Sequence, residues 1–405
     1  MAGSVPAGQN GPVPTVPFTP AWGESDCDTA RLWADSGAQG LTVPGVGVPE
    51  RLVRSVVGLV RWLDTGGAGL AAVSGAEGLG LLTGRAALMG RRCEHGANVT
   101  GSTRLLAARD GWLAVALPRA ADIDLLPAWL GVDPVSDSVP WEAVSSAVAR
   151  RDRWSTVETA ALLGLACAGV GETADRRPVL LEHLGTATAR PLSGSIVVNL
   201  ASLWAGPLAA HVLHRLGARV ITVESSTRPD GARSQPAFFE ALHTGTESVL
   251  LPLHTDEGWE RLADLVSGAD VVIEGSRPRA LAQRGVLARS LVAQGPQVWV
   301  SLTAHGRTSP HDRRVGFGDD AAAAGGLVGW SDRGPEFLVD AVADPLTGLT
   351  AAATVVQLLA AGGRWLADVA LARVAASAAR RPGDPVVAAP VTQDASPPVR
   401  LAERA

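Results

Sequence analysis

Asp344 stands in VADPLTGLTAAATVVQLLAAGG, directly before Pro345 and at the head of a long apolar run that stops at Gly362. Asp followed by Pro at a helix start predicts an N-cap, whose carboxylate accepts hydrogen bonds from free N–H groups of the first turn. The same placement would fix one carboxylate at the mouth of an apolar helix, where it could attack an acyl group as a nucleophile. Capping alone accounts for an aspartate in this position, so chemistry has to be argued from its surroundings. Gly325 and Gly326, if folded nearby, would let an acyl thioester approach the backbone closely.

Other groups point to a phosphate-bearing ligand. Gly206-Pro207 opens a predicted helix whose free N–H groups and positive dipole end could face a phosphate, although the GxGxxG fingerprint is absent. Glu224 ends a predicted strand, where a carboxylate can bind ribose hydroxyls or simply be solvated. Arg228, Arg233, Arg277 and Arg279 concentrate positive charge in two loops, as a ligand with several phosphates would require. His211, His214, His254 and His305 show no HxH or HExxH spacing, and no metal is expected.

These residues need elements to position them. From 195 onward strand and helix alternate: SIVVNL (195–200), LAAHVLHRLG, RVITVE (219–224), VLLPL, DEGWERLADLVSGA, VVIEG and VWVSLTA. Strands this continuously apolar predict a parallel, Rossmann-like α/β sheet, with ligands beyond the carboxyl ends of the strands. Residues 22–190 read as a smaller α+β region, with helical RLVRSVVGLVRWL, strand-like GWLAVALP and helix-like TVETAALLGLACAG. Residues 1–21 and 381–405 are rich in Pro without periodicity and read as disordered tails, leaving 191–380 as the main domain.

Composition sets outer bounds. The 405 residues carry a net charge of -5 and no Lys, so every fixed cation is Arg, and no basic field for nucleic acid is expected. Cys27, Cys93 and Cys167 lack metal-ligand spacing. A cytoplasmic, reduced protein with neither a signal peptide nor a membrane span is the expectation.

In order along the chain, NLASLWAGPLAAHVLHRLGARVITVE, DGAR at 230–233, ESVLLPLHTDEGWERL, ADVVIEGSRPRAL, VWVSLTAHG, AAAAGGLVG and ADPLTGLTAAA resemble the motifs of the class III CoA-transferases. That family includes carnitine-CoA and formyl-CoA transferases and the 2-methylacyl-CoA racemases. The resemblance covers about 195–361 and implies that Asp344 is the catalytic carboxylate, which passes through a mixed anhydride and an aspartyl-CoA thioester. It further implies contacts to CoA from Leu203, Trp204 and Ala205, from Pro252, Leu253 and His254, from Gly275, Ser276 and Arg277, and from Thr303. Acyl-CoA and a small carboxylic acid would be the substrates, with no permanently bound cofactor, and a homodimer is implied.

Some positions depart from the family pattern. Thr246 replaces its Lys, Gly275 and Ser276 replace Asn-Phe, and Gly-Phe-Gly at 316–318 offers no ring nitrogen for racemisation. GSTRLLAARDGWLAVALPRAADIDLLPAWLG resembles the family's later, smaller domain, and LWADSGAQGLTV echoes AAAAGGLVGWSD. Both suggest a permuted or partly duplicated first half. The competing expectations are an inactive acyl-CoA-binding relative and an NAD(P)-dependent oxidoreductase.

Overall fold

A computed structural model describes residues 15–16, 20, 23–65, 75–276 apart from 135 and 137, 281, 283–286, 289, 295–381, 383–384 and 387. Its strands, in chain order, are β1 (Thr15–Val16), β2 (Thr103–Ala108), β3 (Gly111–Ala116), β4 (Ala166–Gly169), β5 (Val179–Gly185) and β6 (Ile196–Asn199). They continue with β7 (Arg219–Ser225), β8 (Glu247–Leu251), β9 (Val271–Glu274), β10 (Val298–Thr303), β11 (Gly329–Ser331), β12 (Gly334–Glu336) and β13 (Arg364–Ala370).

The main sheet runs β1-β5-β13-β10-β9-β6-β7-β8. From β13 to β8 all neighbours are parallel. Numbered by their place in the chain, these strands read 3-2-1-4-5-6 from the β8 edge, the doubly wound order. This is the α/β, Rossmann-like sheet expected from the apolar runs. β9 and β10 are buried at every position because helices cover both faces. Pro252 falls just outside β8, where its missing N–H withdraws no bond from the ladder.

The first half divides by packing. Helices Glu50–Thr65 and Gly75–Met89 join the same apolar core as the main sheet through Leu52, Val56, Leu79 and Leu82. β5 is itself a strand of that sheet, antiparallel to β13. β2, β3 and β4 form a separate antiparallel sheet over a second core that includes Leu113, Val115, Trp129 and Val148. TVETAALLGLACAG is helical only to Leu163, because Gly164 takes a left-handed φ of 75° and ends the helix. ACAG then forms β4.

Two helices position Asp344. Helix Ala343–Ala361 is apolar around most of its circumference and almost wholly buried. It crosses helix Ala205–Arg215 at Gly348, where a Cβ would come within 2.7 Å of the Ala205 carbonyl oxygen. Gly348 thus permits the close crossing, which sets Asp344, one turn earlier, beside the loop that follows β6. Gly325 serves packing of another kind: a Cβ there would meet Ala376 N at 2.5 Å, so it seats helix Leu371–Ala378 and leaves no room for a thioester.

Candidate active site

Strand order reverses between β6 and β9, and the two loops leaving these strands touch. A Cβ on Gly275 would lie 3.0 Å from Ala201 Cβ, and one on Gly206 would lie 2.2 Å from it. Asn199 shapes the β6 loop by accepting from Ala201 N and donating to Ala201 O, both at 3.1 Å. Asp230 accepts from Leu203 N at 3.0 Å and from Ala232 N at 2.8 Å. This bond holds Leu203, exposed and at a φ of 70°, in a conformation that costs a non-glycine residue free energy. No side chain caps helix Ala205–Arg215, so its first N–H groups stay available to an anion.

Five of the residues implied for CoA meet at this switch point: Leu203, Trp204, Ala205, Gly275 and Ser276. The Ser276 hydroxyl is buried without a partner, as is Trp204 Nε1. Pro252, Leu253 and His254 follow β8, two strands away, with His254 exposed. Thr303 ends β10 on the other side and donates its hydroxyl to Asp368 at 3.2 Å. Arg277 and Arg279 lie outside the described residues.

Of the loop arginines, Arg233 forks onto Glu224 at 2.5 and 3.0 Å, while the Asp230 N–H donates to the same carboxylate at 2.9 Å. These partners hold Glu224 below the usual carboxylate range and occupy the oxygens a ribose would need. Arg307 binds Glu274 at 2.6 Å, and Arg373 binds Asp368 at 3.0 Å. The ends of β9 and β13 are thereby closed by ion pairs.

Asp344 lies inside the first turn of its helix and not at the cap. The cap is Val342, and Val339 and Ala341 carry left-handed φ values of 42° and 43°. That strained turn shifts the helix start, and Asp344 N donates to Ala341 O at 2.8 Å. The Asp344 carboxylate instead packs on Gly318 and accepts from its N–H, and a Cβ on Gly318 would sit 2.6 Å from Asp344 Oδ2. Asp344 keeps partial exposure at its rim while protein surrounds it on other sides.

The charges around it come from three segments. Arg85, in helix Gly75–Met89, forks onto fully buried Asp340 with two bonds of 2.6 Å and lies 4.9 Å above the Trp204 ring. Asp319 accepts from Asn98 Nδ2 at 2.6 Å and from Ala341 N at 2.9 Å. Burial pushes Asp344 up to about 7; Asp319 and Asp340 add to this, while Arg85 and the Gly318 N–H oppose it. Burial similarly lifts Asp319 to about 6 and Asp320 to about 8. Near neutral pH Asp344 is therefore divided between its acid and nucleophilic forms.

Sequence reading missed Arg85, Asn98, Asp319 and Asp340. Arg85 and Asp340 are 255 positions apart, and no local pattern announces their pairing. The Asp319-Asp320 pair just after Gly-Phe-Gly was the one available signal. A cavity of about 1650 Å³ opens elsewhere, lined in part by Arg119, Leu125, Trp154, Leu162, His305 and Arg314. Neither Asp344 nor Arg85, Gly318, Asp319 or Asp340 lines it. Among the described residues, no cluster of His, Cys, Asp and Glu could hold a metal, and no helix is long and apolar enough to cross a membrane.

Residues 192–377 match the sequence model of CoA-transferase family III. Succinate--glutarate CoA-transferase of Agrobacterium fabrum is 34% identical over 177 residues, covering 39% of this chain and 44% of that protein. A probable fatty acyl-CoA transferase of Mycobacterium tuberculosis is 33% identical over 151 residues, covering 35% and 38%. A CAIB/BAIF family protein from Brucella suis, of known structure, shares 33% identity over 47% of this chain and 55% of its own, with a TM-score of 0.42. The chain thus spans less than half the length of these two curated relatives. Residues 192–377, the stretch that matches CoA-transferase family III, hold the β6 loop, Gly318 and Asp344, so the likeness to that family falls on the site.

Proposed function

We propose that the protein moves CoA from an acyl-CoA donor to a carboxylic acid, with Asp344 as the nucleophile. The observation that carries this reading is a partly exposed carboxylate, poised near neutral pH, beside a phosphate-ready helix start at the switch point of a doubly wound sheet. Ionised Asp344 attacks the thioester carbon, forming a mixed anhydride and releasing CoA thiolate. The thiolate attacks the aspartyl carbon, giving an aspartyl-CoA thioester and freeing the donor acid. The acceptor carboxylate then displaces CoA to form a second anhydride, and thiolate attack on the acceptor carbon yields the new acyl-CoA and free Asp344. Leu203, Trp204, Ala205, Gly275 and Ser276 would hold the CoA portion, with Pro252 to His254, Arg277 and Thr303 further along it.

An inactive CoA-binding relative has one observation in its favour: without a side chain at position 318, Asp344 rests against the backbone. Mixing acetyl-, succinyl- and octanoyl-CoA with a panel of small organic acids and reading products by mass separates the two. New acyl-CoA species that vanish with Asp344→Asn support transfer. Binding of every thioester without any exchange would leave only the binding role.

A further inference from the structure

We propose that Arg85 is a positioning residue for Asp344, tying the β6 loop to the strained turn that carries the carboxylate. The inference rests on the reading of Asp344 as the nucleophile. Arg85 comes from the first half of the chain, yet its guanidinium spans two parts of the site. One face lies over Trp204 at 4.9 Å and near Phe238 at 5.9 Å, while its fork grips Asp340. Asp340 sits between Val339 and Ala341, both in the left-handed region. Residues in that region persist only where surrounding bonds over-determine them. Here those bonds are the Arg85 fork, the Ala341 N–H donated to Asp319 and the Asp344 N–H donated to Ala341 O.

The pair is more than a buried ion pair of the ordinary kind. Asp344 faces Arg85 from helix Gly75–Met89, Asp319 from helix Gly318–Ala324, Asp340 from the turn, and the Gly318 N–H. Arg85 is the cation in that set, and its fork is spent on Asp340. It therefore fixes the turn by geometry and biases Asp344 by charge, two effects that substitution can separate. A lysine keeps the charge but cannot fork, whereas methionine keeps only the stem.

The test labels Asp344 in the full-length protein with a water-soluble carbodiimide and glycine ethyl ester. The reagent activates the protonated carboxyl, the amine displaces the urea, and an amide remains for peptide mass analysis. Labelling falls as Asp344 ionises, so it reports the midpoint without needing a thioester. Arg85→Met is expected to move that midpoint up by about one pH unit or more. Arg85→Lys should hold the midpoint but lower kcat of exchange by about 10²-fold, with a smaller change in KM. A folded Arg85→Met protein with the wild-type midpoint overturns the proposal, as does an Arg85→Lys protein with undiminished kcat. Should Arg85→Met fail to fold, Asp340→Asn reads the same coupling: a lowered midpoint supports it and an unchanged one overturns it. If wild-type exchange is absent while the midpoint still follows Arg85, only the nucleophile reading falls.

Discussion

Glu224 and Asp344 are both carboxylates near the carboxyl edge of the sheet, yet their surroundings drive them in opposite directions. Glu224 ends β7 with its own arginine: Arg233 and a backbone N–H satisfy it and keep it ionised. Asp344 has the Gly318 N–H but no arginine of its own, since the nearby Arg85 is committed to Asp340, and burial among other acids holds its proton to about pH 7. A satisfied carboxylate shapes a loop, whereas an under-compensated one retains reactivity.

The largest expected effect falls on Asp344 itself. Asp344→Asn should abolish exchange by at least about 10³-fold while leaving CoA affinity, read by titration, within a few-fold. Retained exchange would show that another group does the chemistry. Gly318→Ala comes next. The added methyl meets the Ala341 oxygen at 2.4 Å and Asp344 Oδ2 at 2.6 Å, so Asp344 must move. Turnover should drop about 10²-fold with a lower melting temperature, and normal kinetics in this variant would contradict the packing described.

The buried acids also predict how stability varies with pH. Asp319, Asp344 and Asp320 titrate at about 6, 7 and 8 in the folded protein, above the ordinary value of an unfolded aspartate. A raised folded pKa gives stability that is complete below the unfolded value and lost as pH rises through the folded one. His211 and His305, held low by burial, act in the opposite sense only below about 6.5. Between pH 6.5 and 8.5 the melting temperature should therefore fall. Asp320→Asn, which keeps an acceptor for the Phe317 N–H, should flatten that fall, and an unchanged slope would contradict the buried-acid account.

The smallest effect lies at the other end of the comparison. Arg233→Met should cost about 0–1 kcal/mol in chemical unfolding, because the arginine is half exposed and screened. It should leave the ionisation of Asp344 unmoved, and a shift there would couple two regions that the structure keeps apart.

Five strands of the sheet were legible because buried parallel strands are continuously apolar, as in VVIE and VWVSLT, with ends missed at Pro252 and similar places, whereas β5 and β13 went unread. Asp344 was legible through its motif, but its setting was not. The cap position failed because the left-handed turn at 339–341 depends on Arg85 and Asp319, which lie far off in sequence. The β4 strand was hidden inside a helix-like run, which Gly164 divides by ending the helix in a left-handed conformation. Glu224 and Gly325 looked available to a ligand and instead hold the fold together, a distinction made only by their spatial neighbours.

The most direct measurement is to incubate the protein with a CoA thioester that supports exchange, quench with hydroxylamine, and map the modified peptide by mass. The aspartyl-CoA intermediate predicts a hydroxamate at Asp344, increasing as pH rises through about 7. Exchange that proceeds with Asp344 unmodified at every pH would contradict the account.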